Sequence, residues 1–118
     1  MAMAYQAQCH CGAVKIEVEG EIPEKAVVCN CSHCEVKGLV LAAVPGSSVK
    51  IVAGEEALKT YQFNTHKIDH RFCSGCGTQA FSQGTGRDGS PMAMINLRCV
   101  PDVDLETIEK IEFDGASM

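Results

Sequence analysis

Cys9-His10-Cys11-Gly12-Ala13-Val14-Lys15-Ile16-Glu17-Val18-Glu19 carries both themes of this chain: two cysteines one residue apart, then a strict alternation of apolar and charged residues. Val14, Ile16 and Val18 fall on one side of an extended backbone and Lys15, Glu17 and Glu19 on the other. That pattern predicts a strand with one face buried and the other in water. Gly12, directly after the cysteine pair, can take a positive φ and let backbone N–H groups approach anionic sulfur. Strand and cysteine turn together set the reading of everything downstream.

Working outward, residues 25–29, 39–44, 49–53, 60–63, 67–72, 78–82 and 92–97 are further short strand candidates. Turn-forming residues separate them at 20–23, 45–48, 64–66 and in the longer 84–91 loop. Helix is scarce: Ser32 and Glu35 have capping-box spacing over residues 32–37, and Asp104 is placed to cap a second turn around 105–109. Many short strands with turn punctuation predict a mainly β fold of antiparallel sheets. The length of 118 residues predicts one domain over 1–118.

Composition narrows the function. Ten basic against fifteen acidic residues give a net charge of -5, the wrong balance for a protein that neutralises nucleic-acid phosphates. The longest apolar run, residues 38–45, is too short to cross a bilayer, so no membrane partner is expected. With no tryptophan, two tyrosines and four phenylalanines, the core needs help, and the eight cysteines are the candidates to give it. Residues 1–8 have neither the positive start nor the apolar stretch of a secretory signal, which predicts a reducing, cytoplasmic setting.

Seven of the eight cysteines fall in three clusters: Cys9 and Cys11; Cys29, Cys31 and Cys34; Cys73 and Cys76. Sulfurs this close on tight loops suit a shared metal ion, whereas cysteines one residue apart are poorly placed to bond one another. Thiolate softness favours zinc, although iron also fits four sulfurs. Cys9, Cys11, Cys73 and Cys76 supply a closed four-sulfur, structural site. Cys29, Cys31 and Cys34 supply three donors, and the fourth position is either open to water or substrate, and hence catalytic, or filled by Cys99, His33 or His70.

At this point several stretches resemble the glutathione-dependent formaldehyde-activating enzyme family. They are Cys9-His10-Cys11-Gly12-Ala13-Val14, Cys29-Asn30-Cys31-Ser32-His33-Cys34, Phe72-Cys73-Ser74-Gly75-Cys76-Gly77, Ile95-Asn96-Leu97-Arg98-Cys99 and Phe113-Asp114-Gly115. The resemblance implies an Mss-four-like zinc fold with two zinc ions per chain. Cys9, Cys11, Cys73 and Cys76 would hold the structural ion, and Cys29, Cys31 and Cys34 the catalytic one. It also implies a carbon-sulfur lyase-like activity, in which glutathione adds to formaldehyde to give S-hydroxymethylglutathione. Members of the family usually place a basic residue after the third cysteine of the middle cluster; here Glu35 stands there, with Lys37 two positions on. Chains resembling centromere protein V share the scaffold, so a non-catalytic zinc-stabilised binding module is the alternative.

The remaining polar residues divide between chemistry and structure. His33, inside the three-cysteine loop, is expected to be an exposed loop residue, with proton relay as its functional alternative. His70 alternates with Ile68 and Phe72 and is expected in the core, while His66 belongs to a turn. Arg98 and Arg87 could grip a carboxylate, Arg98 being the better placed. Cys99 is expected as a buried thiol at the end of an apolar strand. Its alternative is a redox nucleophile with a depressed pKa beside Arg98. The 84–89 loop lacks the lysine and following helix of a phosphate-binding loop and is expected as a hairpin or lid.

Overall fold

The alternation at the start of the chain becomes a strand. The computed structural model describes residues 3–62, 68–85 and 89–113, and in it β2 (Lys15–Glu19) buries Ile16 and Val18 and leaves Lys15, Glu17 and Glu19 in water. Val14, Ile16 and Val18 are wholly buried, each side chain contributing roughly 1.5–3 kcal/mol. β2 lies between β1 (Ala4–Gln8) and β5 (Val49–Ala53), antiparallel to both, in a three-stranded sheet.

A seven-stranded sheet runs, in spatial order, β10 (Glu109–Phe113), β3 (Lys25–Cys29), β4 (Leu41–Pro45), β9 (Pro91–Asn96), β8 (Gln79–Thr85), β7 (Asp69–Cys73) and β6 (Leu58–Tyr61). One short helix, α1 (Ser32–Lys37), connects β3 to β4. The two sheets share one core. Tyr5, Ala7, Ile16 and Val18 join Ala80, Phe81, Ala93, Ile95 and Leu97 in a single buried cluster, the small residues leaving room for Phe81 and Ile95.

The mainly β, largely antiparallel expectation holds, with informative departures. β10 was not expected, and it pairs parallel to β3, from Glu109 opposite Lys25 to Phe113 opposite Cys29. The turn expected around residues 105–109 is present and is capped by Asp104 as expected: Ile108 N–H reaches Asp104 O at 3.0 Å and Glu106 N–H reaches Asp104 Oδ1 at 3.0 Å. The chain then extends, because β-branched Thr107 and Ile108 favour strand and β3 offers a free edge. β1 was also unforeseen; its five residues hold only Tyr5 and Ala7 on the buried face.

α1 matches its expected span, but its N-cap is Cys31 rather than Ser32, since the Cys31 sulfur accepts the Cys34 N–H at 3.4 Å. β8 and β9 form the expected hairpin, with Thr85 opposite Pro91. The turn at 64–66 with His66, the position of Arg87 and the Asp114-Gly115 pair lie outside the described residues. Among the described residues, no helix is long and apolar enough to cross a membrane.

Candidate metal centres

Two turns of nearly the same design face each other at one end of the small sheet. In the first, Cys9 N–H donates to Val14 O at 3.0 Å and Gly12 N–H to Cys9 O at 3.1 Å, with Gly12 at φ 81°. In the second, Cys73 N–H donates to Thr78 O at 2.9 Å and Gly77 N–H to Cys73 O at 2.7 Å, with Gly77 also at φ 81°. A backbone N–H points at the leading sulfur of each: Val14 N–H at Cys9 Sγ and Gly75 N–H at Cys73 Sγ, both 3.3 Å. Such bonds favour thiolate.

The four sulfur atoms of Cys9, Cys11, Cys73 and Cys76 lie within 4.8 Å of one another. Cys9 and Cys11 are 3.6 Å apart and Cys11 and Cys73 3.7 Å, close to the edge of about 3.8 Å that a tetrahedron with 2.3 Å metal–sulfur bonds requires. None of the eight cysteines is in a disulfide. Cys9 and Cys73, 2% and 1% exposed, are rooted in the core, while Cys11 faces solvent.

Crowded thiols cannot all ionise alike. Hydrogen bonding with Thr78, then the backbone N–H of Cys11, brings Cys76 down to about 5. The Ala13 N–H pulls Cys11 down, but the Cys9 and Cys73 sulfurs outweigh it and hold Cys11 at about 11. Burial pushes Cys9 up, yet the Val14 N–H and the neighbouring thiols bring it below its ordinary value. A divalent cation would remove this conflict, so the donor set fits a metal.

The second cluster gathers Cys29 at the end of β3, Cys31 at the helix cap and Cys34 inside α1. Their sulfurs also lie within 4.8 Å of one another, and among the described residues no fourth His, Cys, Asp or Glu donor joins them. His33, His70 and Cys99, the expected candidates for a fourth ligand, are not in the group. Cys31 N–H donates to Cys29 Sγ and Cys34 N–H to Cys31 Sγ, both at 3.4 Å. The loop is anchored by the unforeseen strand: Asn30 N–H donates to Phe113 O at 3.1 Å. Burial, then Cys31, pushes the Cys34 thiol well up. Burial also pushes Cys31 up, but the Cys34 N–H and thiol and Cys29 bring it below its ordinary value.

His33 is buried in α1, not exposed, because positions 33 and 34 are the inward face of so short a helix. Its ring lies 4.0 Å from that of His70 and 5.8 Å from that of Tyr61. Burial, then His70 and Lys37, hold His33 down at about 4, and burial with Lys37 lowers His70 as well. His70 is buried, as expected.

Lys37 was noted in the sequence as the basic residue two positions after Glu35, without a role in the site. Its Nζ donates to Gln79 Oε1 at 2.7 Å and stands 5.9 Å from the ring centres of both Tyr61 and Phe72. Helical spacing was the available signal, since Lys37 follows His33 by four positions. Two clefts meet at Lys37 and Gly77. One, of about 520 Å³, is lined by His33, Val36, Tyr61 and Phe72; the other, of about 410 Å³, by His10, Gln79, Asn96 and Arg98. Glu35 is exposed and lines neither.

Cys99 is buried in the shared core, and burial holds its thiol up at about 11. That is the buried thiol expected of it and the opposite of what a redox nucleophile requires.

The fold and the two sites define a mainly β protein whose cysteines gather into one four-sulfur and one three-sulfur cluster, each able to hold a metal. The family model described as "Glutathione-dependent formaldehyde-activating enzyme" matches residues 4–111. The crystal structure of a Rhodobacter sphaeroides protein superposes with a TM-score of 0.78 at 32% identity, over 91% of this chain and 97% of that one. The chain belongs to the glutathione-dependent formaldehyde-activating enzyme family.

Proposed function

We propose that residues 1–118 act as a single-domain, zinc-dependent, carbon-sulfur lyase-like enzyme that joins a small thiol to an aldehyde. Glutathione and formaldehyde giving S-hydroxymethylglutathione, or a closely related pair, is the reaction the family points to. The observation that carries this reading is the three-sulfur cluster with no fourth protein donor among the described residues. Cys29, Cys31 and Cys34 would hold one zinc ion and Cys9, Cys11, Cys73 and Cys76 the other. Thiolate donors select a soft metal, and backbone N–H groups donate to the sulfurs of Cys29, Cys31, Cys9 and Cys73, orienting them toward a shared centre. Zinc at the three-sulfur site would supply a lowered pKa for an incoming thiol, making it a nucleophile at neutral pH.

The reaction balances without an oxidant. A sulfur–carbon bond forms as the π bond of the aldehyde carbonyl opens onto its oxygen; the thiol proton is released and the resulting alkoxide takes up a proton. Two ligands of the four-sulfur cluster, Cys9 and Cys73, are rooted in the core while Cys11 faces solvent; in the three-sulfur cluster Cys34 is buried and Cys29 and Cys31 are half-buried. Lys37, at the end of the helix that carries Cys34, supplies a cation near the site, held by Gln79 Oε1 at 2.7 Å. Eight unpaired thiols fit a reducing, cytoplasmic setting.

One observation favours a second reading, a zinc-stabilised binding module: none of the three sulfurs lines either cleft. The two readings separate in one experiment. Purified protein is assayed for metal content and for acceleration of glutathione–formaldehyde exchange by NMR. Two zinc ions per chain with acceleration that Cys31→Ser abolishes supports the enzyme. Two ions with exchange no faster than in buffer supports the module.

A further inference from the structure

β10 ends the large sheet and leaves one edge open. Its inner edge pairs with β3 over five residues with no break in register, and among the described residues no strand lies against its outer edge. Phe113 O accepts the Asn30 N–H, so Phe113 and, at the period of two, Ile111 and Glu109 direct their backbone groups at β3. Lys110 and Glu112 therefore present their N–H and C=O groups to the open side. The strand has neither a proline nor a bulge, two devices that keep such an edge from pairing.

The side chains divide by face. Ile111 and Phe113 stand beside Val27 and Cys29 and are 48% and 41% exposed. Lys110 and Glu112 stand beside Ala26 and Val28 on the other face, where Ala26 joins the core. Glu109 is paired with Lys25 at 3.4 Å, whereas Glu112 makes no ion pair among the described residues. Lys110 Nζ donates to Leu105 O and Ile108 O, which leaves one of its three donors over. An unmatched carboxylate and an ammonium with a spare donor thus stand on either side of Ile111.

We propose that β10 is the contact between two copies of this chain, paired antiparallel about a two-fold axis at Ile111. In that register Lys110 of each copy lies opposite Glu112 of the other, and the outward N–H and C=O groups of both residues complete a ladder. Ile111 meets Ile111, with the Phe113 of each copy on its diagonal. The charges select this register over its neighbours. A shift of two residues in one direction sets Lys110 against Lys110, and in the other Glu112 against Glu112. A shift of one sets outward backbone groups against inward ones. A second copy is the occupant because these five residues are complementary to themselves. Such a contact is isologous, so it closes at two and leaves no β10 edge exposed. It also brings both three-sulfur loops to the seam, since the Asn30 N–H is bonded to Phe113 O. The pairing does not depend on the reaction proposed above.

The test is analytical ultracentrifugation of the purified, metal-containing protein over about 1–100 µM, where the native chain is expected to pass from monomer to dimer. Glu112→Lys sets like charges opposite one another at both positions and should raise the dissociation constant at least about tenfold, as should Lys110→Glu. An equal mixture of these two variants restores opposite charges at both positions and should bring the dimer back. Amide exchange locates the contact: the N–H groups of Lys110 and Glu112 should slow as concentration rises, while that of Ile111, already turned to β3, should not. Should Lys110→Glu unfold, Ile111→Lys sets two ammonium groups on the axis and is expected to dissociate the dimer in its place. A native chain still monomeric at about 100 µM overturns the proposal. So does a dimer that withstands Glu112→Lys or Ile111→Lys, a mixture of folded variants no more dimeric than either alone, or assembly that continues past two.

Discussion

Cys31 serves two purposes with one sulfur, as a donor of the three-sulfur cluster and as the N-cap of α1. Serine is itself a strong N-cap, so Cys31→Ser keeps the helix start within about 1 kcal/mol while removing a soft ligand. The variant should lose one metal ion per chain by elemental analysis, with little change in thermal midpoint. Cys73→Ser is the contrasting case. Its sulfur is wholly buried and joins segments 62 residues apart, so several kcal/mol of stability should go, visible as a collapse of the thermal transition. Equal destabilisation by the two substitutions would contradict the division of roles. Cys99 makes a prediction about pH. Its folded pKa, about 11, lies above the unfolded value of 9.0, so its contribution to stability is full below pH 9 and is lost as pH rises toward 11. Denaturant titrations from pH 8 to 11 should show that loss, and Cys99→Ala should flatten it.

At the scale of elements, the turn at residues 54–57 braces both cysteine turns of the closed site. Gly54, at φ 83°, passes so close to Ala13 that any side chain would collide with the Ala13 carbonyl, and Ala57 O accepts the Ser74 N–H at 2.8 Å. Gly54→Ala therefore combines backbone strain with a clash, and should lower the thermal midpoint by at least about 4 °C. β10 plays the corresponding part for the three-sulfur cluster, since it alone pairs with β3 on that side and its last residue lies opposite Cys29. Ile111→Pro removes a ladder hydrogen bond there. Metal analysis should then show loss from the three-sulfur site with the four-sulfur site still filled; loss from both would place β10 in the general stability of the fold. These elements differed in legibility. β2, β3 and β5 were readable because their apolar residues alternate or run together. β10, Glu-Lys-Ile-Glu-Phe, is exposed along its whole length, and its state is set by its neighbour, not by its own pattern.

For the whole molecule, the closed cluster links the turn after β1 to the turn after β7 and so joins the small sheet to the large one. A metal ion held there would close a loop of 62 residues and limit the unfolded chain by an amount comparable with a disulfide, about 4 kcal/mol. A chelator titration should strip metal in two stages. The first ion should come from the half-exposed three-sulfur cluster with little change in thermal midpoint. The second should come from the core-rooted cluster together with unfolding, followed by metal analysis and circular dichroism on the same samples. Release in the opposite order would show that the closed cluster is not the structural one.

Spacing alone established the mainly β character, the grouping of seven cysteines into three clusters and their division into four and three. Short-range pattern is enough for these, because strand alternation and knuckle turns are written within a few residues. The fate of the polar residues was decided in three dimensions. Lys37, Gln79, Asn96 and Arg98 are far apart in the chain and have no periodicity in common; they meet only because β8 and β9 run beside the end of α1. His33 changed from an expected surface residue to a buried one for the same reason, since burial depends on what the rest of the fold lays over a side chain and not on its sequence neighbours.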